Sequence, residues 1–163
     1  MSTQFTFFAR QRGALSLYYN ARELEPYNAG GSGSDDEGLH EMPDKSHVVI
    51  VEDELVVALM WREELACAGY RVSYTSSADA ALEIMSTHTP SAAIVDIGLP
   101  GLRGDAFALK CRTRFPSMAI LLVTGFDSQL YKHLESDPMV RVFQKPITTT
   151  ALLGCLARYS GEH

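Results

Sequence analysis

From His47 onward the sequence repeats one device five times: a short apolar run, a polar residue that stops it, and a stretch of helical length. Val48-Val49-Ile50-Val51 stops at Glu52-Asp53-Glu54, and Ala92-Ala93-Ile94-Val95 stops at Asp96. Ala119 to Val123 runs into Thr124-Gly125, Val140 to Gln144 into Lys145-Pro146, and Tyr70 to Tyr74 is the alternating member of the set. Runs this short and this rich in β-branched residues read as strands. Between them the spacing predicts a helix over Glu54–Ala68, closed by Gly69 as a left-handed cap, and one capped by Ser76 or Ser77 and running to Ser86. Further helices are expected over Asp105–Arg114, Ser128–Glu135 and Thr148–Tyr159.

Strands that alternate with helices need right-handed crossovers, and these build a parallel sheet covered on both faces. The expected fold is therefore α/β, a five-stranded parallel doubly wound sheet. The flavodoxin-like order 2-1-3-4-5, counted from the strand at Val48, is preferred. All strands of such a sheet end on one edge, so Glu52, Asp53, Asp96, Thr124 and Lys145 converge there although they span nearly a hundred positions. The chosen order sets Glu52 and Asp53 beside Asp96 at the point where the connections reverse. Three adjacent carboxylates repel and raise one another's pKa. A divalent cation resolves that conflict, and oxygen-only donors suit Mg²⁺. With a lysine opposite and a small hydroxyl nearby, the set becomes a site for a phosphoryl group on Asp96.

Composition narrows the function classes. The 163 residues suffice for one domain with spare chain, and 46% hydrophobic content is enough for a real core. A net charge of −6 argues against a nucleic-acid partner. Cys67, Cys111 and Cys155 are scattered and odd in number, as expected of reduced residues in a cytoplasmic protein. No apolar run approaches the ~18 residues of a membrane span, so no membrane is expected. Residues 1–28 carry two aromatic lumps, Phe5–Phe8 and Leu15–Tyr19, and the stretch Leu15–Leu24 has the pattern of a short helix. Residues 29–44 contain Gly30-Gly31-Ser32-Gly33-Ser34 and an acidic triplet, the composition of a flexible linker. Met42 reads as a native start, which leaves the preceding peptide either fused or a natural extension. In either case it is a candidate for docking in cis on the domain at 45–163.

The motifs Val-Val-Ile-Val-Glu-Asp-Glu, Ile-Val-Asp-Ile-Gly-Leu-Pro-Gly-Leu-Arg-Gly, Leu-Leu-Val-Thr-Gly-Phe and Phe-Gln-Lys-Pro-Ile occur in order from Val48 to Ile147. In this the chain resembles the receiver domain of two-component response regulators, CheY-like proteins. The resemblance implies phosphorylation of Asp96 by a sensor histidine kinase or a histidine phosphotransfer protein. It implies Mg²⁺ held by Asp53, Asp96 and the Gly98 carbonyl, with Glu52 reaching the metal through water. Thr124 and Lys145 would contact phosphoryl oxygens. Leu122-Val123-Thr124-Gly125-Phe126 is similar to the Phe-Ala-Thr-Gly-Tyr form of stand-alone alphaproteobacterial receivers. The chain departs from the wider pattern at Val142, where many receivers place a switch aromatic.

Only Ser160–His163 follow the last helix, so output through protein contact is expected in a single-domain regulator. The helix after Glu54 is apolar all round. Val57, Met60, Trp61 and Leu65 are expected to face the sheet, which leaves Leu55, Ala58 and Leu59 as docking residues. The alternative is a receiver-like scaffold that signals by binding without phosphorylation. An aspartyl phosphatase of the haloacid-dehalogenase kind would want an acid two residues after Asp96, where Gly98 stands. A flavodoxin would not place acids where its flavin phosphate sits.

Overall fold

The computed structural model describes residues 16–19 and 45–159. The elements are β1 (Ser16–Tyr19), β2 (Lys45–Val51), α1 (Leu55–Cys67), β3 (Tyr70–Thr75), α2 (Ala78–Thr87) and β4 (Ala92–Asp96). They continue with α3 (Gly104–Arg114), β5 (Ala119–Thr124), a 3-10 helix (Ser128–Ser136), β6 (Val140–Gln144) and α4 (Thr149–Ala157).

The sheet runs β1-β3-β2-β4-β5-β6. Its last five strands are mutually parallel and have the expected order 2-1-3-4-5. Because side chains alternate along a strand, each central strand feeds two cores. Val49 and Val51 of β2, Ala93 and Val95 of β4, and Ile120 and Leu122 of β5 pack with α2 and α3 on one face. Val48, Ile50, Ala92, Ile94, Leu121 and Val123 pack with α1 and α4 on the other. Every residue of β4 and β5 is buried, the mark of strands covered on both sides.

Local signals set the helix ends. Gly69 has φ 90°, and the Ser77 side chain accepts the Ala80 N–H to open α2. Thr148 does the same for Ala151 at the start of α4. The segment expected to be a helix over Ser128–Glu135 is a 3-10 helix instead, opened by the Asp127 side chain. Its repeat of three brings Ser128, Tyr131 and Leu134 to one side, and Tyr131 is buried there.

Two expectations need correction. Residues 16–19, assigned above to a short helix, form β1, which pairs antiparallel with β3 from Ser16 opposite Thr75 to Tyr19 opposite Val72. A marginal helix yields to the unpaired edge of a sheet, which offers main-chain hydrogen bonds. The rest of 1–28 and the linker at 29–44 lie outside the described residues. In α1, Ala58 is buried and Met60 is exposed, the reverse of the expected stripe. Trp61 and Leu65 lie one turn apart on the sheet side, and Ala58 lies one turn before Trp61, while Met60 points about 100° away from Trp61. Ala58 is therefore no docking residue. The exposed apolar residues of this turn are Leu55, Val56 and Met60, and Leu59 is half-buried.

At the opposite sheet edge His47 is buried, and its Nε2 lies 2.8 Å from the Ser73 hydroxyl. Burial, with lesser repulsion from Arg71 and His88, lowers its pKa from 6.5 to about 4. The unfolded chain thus binds a proton at His47 that the folded chain refuses between those values. Its contribution is complete above pH 6.5 and falls with pH to about 3 kcal/mol less near pH 4. In urea titrations from pH 7 to 4, His47→Gln is expected to flatten the loss of stability relative to the unaltered chain.

Candidate functional site

The carboxyl ends of β2, β4, β5 and β6 carry five side chains to one edge of the sheet, where Glu52, Asp53, Asp96 and Lys145 form a pocket. Main-chain bonds tie these ends together: Glu52 N–H to the Thr75 carbonyl, Ile97 N–H to Val123 and Lys145 N–H to Thr124. Glu52 is fully buried. Its carboxylate accepts from the Lys145 ammonium at 2.9 Å and from the Glu54 N–H at 3.2 Å. Lys145 also lies 3.5 Å from Asp96 and 3.8 Å from Glu54. Asp96 is 7% exposed and accepts the Gly98 N–H at 3.1 Å, while Asp53 stands exposed at the rim. Oxygen atoms of Glu52, Asp53 and Asp96 lie within 4.8 Å of one another.

The electrostatics follow from this crowding. Burial pushes the Glu52 carboxyl up, against the pull of Lys145 and with help from Asp96. Burial disfavours the Lys145 ammonium, yet the carboxylates of Glu52, Asp96 and Glu54 outweigh it and hold its pKa above the usual lysine range. Three carboxylates against one ammonium leave two negative charges uncompensated among hard oxygen donors. A divalent cation of the Mg²⁺ type fits that balance and that donor set.

Thr124 is fully buried, and its hydroxyl accepts the Phe126 N–H at 3.0 Å. The residue stands at the end of β5, one strand from Asp96 and one from Gln144 beside Lys145. Glu52, Asp53, Asp96, Thr124 and Lys145 are thus brought together as the motif spacing suggested. A Cβ at Gly98 would stand 3.2 Å from an Asp96 oxygen, so glycine here keeps the carboxylate approachable. Val142 is buried, with Tyr131 and Val140 in the same apolar cluster.

Two contributors escaped the sequence reading. Gly104 opens α3 pressed against β4: a Cβ there would collide with the Asp96 carbonyl oxygen and stand 2.8 Å from the Ile97 Cα. The signal available was a third glycine where a loop becomes a helix. Arg103 donates to the Tyr131 hydroxyl at 2.8 Å, a contact across 28 positions that no local pattern announces.

The Response regulator receiver domain family profile matches residues 48–157. Response regulator protein FleR of Pseudomonas aeruginosa is 28% identical over 118 residues, covering 69% of this chain and 24% of that protein. The TorCAD operon transcriptional regulatory protein TorR of Escherichia coli K12 is 37% identical over 79 residues, covering 48% and 34%. The chain therefore spans about a quarter to a third of the length of these relatives. Among solved structures, a CheY-like receiver domain protein from Methanospirillum hungatei JF-1 superposes with a TM-score of 0.66 at 23% identity, covering 72% of this chain and 95% of that one. A putative response regulator from Chloroflexus aurantiacus J-10-fl gives 0.63 at 26%, covering 72% and 99%.

Gly104→Ala is expected to force α3 away from β4. Urea unfolding should show a loss of roughly 2–3 kcal/mol, with the Asp96 loop amides the most shifted in an NMR spectrum.

Proposed function

The chain belongs to the response regulator receiver domain family of two-component signalling, and from that premise we propose that it takes a phosphoryl group onto Asp96 from a phosphohistidine donor and signals as a single domain through protein contact. The observation that carries this reading is the pocket itself: Asp96 within reach of two further carboxylates, with Lys145 3.5 Å away and Thr124 on the adjoining strand end. An Asp96 oxygen attacks phosphorus as the P–N bond of the donor breaks, and the leaving imidazole keeps the bond electrons and is protonated from water. Lys145 offsets charge on the phosphoryl oxygens, and the Thr124 hydroxyl donates to one of them. Mg²⁺ held by Asp53, Asp96 and the Gly98 carbonyl, with Glu52 behind a water, would supply charge neutralisation at the phosphoryl oxygens. An ammonium 3.5 Å from a 7% exposed Asp96, with a hydroxyl residue on the adjoining strand end, favours this reading over a scaffold that only binds.

Incubation of the full chain with acetyl phosphate and Mg²⁺ should add one phosphoryl group by mass. Asp96→Ala should remain unmodified, and equal modification of that variant would refute the assignment.

The donor is a sensor histidine kinase or histidine phosphotransfer protein, and the exposed Leu55, Val56 and Met60 of α1 form its proposed apolar landing site beside the pocket. Residues 1–28 are a proposed cis partner for the same turn. Ser16 pairs with Thr75, whose carbonyl holds the Glu52 N–H, so Ser16 stands at the sheet edge that carries the pocket. Phe5, Phe7 and Phe8 suit the apolar turn, and Arg10 and Arg12 suit the exposed Asp53 and Glu54. Replacing the three phenylalanines with serine in the full chain should speed amide exchange in the first turns of α1. Unchanged exchange there would remove the cis partner.

A further inference from the structure

Two arms of the chain leave the pocket. One follows Asp96 through Gly98 and Pro100 to α3. The other follows Thr124 through Gly125 and Phe126 to the 3-10 helix. Neither has slack. On the first, the Gly104 N–H bonds back to the Ile97 carbonyl at 3.2 Å, and Gly104 is jammed against β4. On the second, the Thr124 hydroxyl holds the Phe126 N–H and the Asp127 carboxylate holds the Gln129 N–H at 2.9 Å.

The arms are joined by the Arg103 guanidinium, which donates to the Tyr131 hydroxyl at 2.8 Å. Arg103 is exposed, whereas Tyr131 is 8% exposed with its ring in the cluster that contains Val140 and Val142. The same 3-10 helix also covers β6. Glu135, paired with Lys132 at 2.8 Å, accepts the outward N–H of Val142 at 2.8 Å. Tyr131 therefore stands between the pocket arms and the capped edge of the sheet.

We propose that the Arg103–Tyr131 hydrogen bond is a latch holding the unmodified arrangement, and that Tyr131 is the positioning residue that couples Asp96 to the 3-10 helix and the β6 edge. This rests on the reading of Asp96 as phosphoacceptor. A phosphoryl oxygen on Asp96 accepts from the Thr124 hydroxyl, and the turn of the side chain toward it draws the hydroxyl oxygen off the Phe126 N–H at the root of the second arm. The arm then carries Tyr131 away from Arg103 and draws Glu135 off the Val142 N–H. Coupling is reciprocal, so a latch that opposes the modified state must weaken the binding of its analogue.

The test uses the full chain, with beryllofluoride and Mg²⁺ as the probe titrated by calorimetry, and Tyr131→Phe, Arg103→Ala and the double variant. Tyr131→Phe keeps the ring and loses only the hydroxyl. Each single variant is expected to bind beryllofluoride about fivefold more tightly, the size of one hydrogen bond. The double variant should match Arg103→Ala, which already removes the Tyr131 bond together with the 3.4 Å contact of Arg103 with Asp105. In the metal-free chain, Tyr131→Phe should also raise amide exchange across residues 128–136 and at Val142. Unchanged or weaker binding, additive effects, or unaltered exchange would each overturn the latch. If wild type bound beryllofluoride normally, that failure would leave Asp96 as phosphoacceptor untouched. If wild type failed to bind it, or Asp96→Ala bound it equally, the phosphoacceptor reading would fall and the latch with it.

Discussion

The Glu52 carboxylate is fully buried, and the Lys145 ammonium 2.9 Å away is the cation that permits it to be there. A buried charge without a partner costs several kcal/mol, so a site of this kind requires both members at once. They come from the first and last parallel strands, 93 positions apart. The crossovers that bring those strand ends to one edge are therefore as much a part of the site as its side chains. Asp96 and Asp53 add two negative charges that Lys145 alone does not balance. That residual charge and the oxygen donors fit a divalent cation.

A pocket built on strand ends inherits the stiffness of the sheet. The strands beneath Asp96 and Thr124 are buried on both faces, and main-chain bonds link each end to its neighbour. The loops beyond are short and closed by side-chain turns, so a displacement at the strand ends is passed on to the elements that follow. The helix expected after Thr124 is a 3-10 helix held by Tyr131, Glu135 and the Asp127 cap rather than by a broad apolar face. An element secured by a few polar contacts is one whose position can respond to a change a few residues away.

The legible parts of the sequence were those carried by period and punctuation. Five apolar runs with helical spacing yielded the parallel sheet, the acid cluster chose its strand order, and Gly69 and Ser77 capped helices where their chemistry allows. Site residues were legible because each terminates its strand run. Less legible was anything that depends on which neighbour is present. The outward face of α1 was misplaced because Ala58 and Met60 are both apolar, and only contact with the sheet distinguishes them. Residues 16–19 have a weak helical pattern, and the free edge of β3 decided in favour of a strand.

By itself, then, the sequence determined a doubly wound sheet and the acid, hydroxyl and ammonium set at its carboxyl edge, and that set favoured one strand order. The sheet and the set follow from side-chain alternation and from where each run is broken. Only the tertiary structure decided that Gly104 must lie against Asp96, that an antiparallel strand closes the β3 edge, and that Arg103 meets Tyr131. These are contacts between segments with no shared period. Their existence depends on distances that close only when the two cores on either side of the sheet are packed.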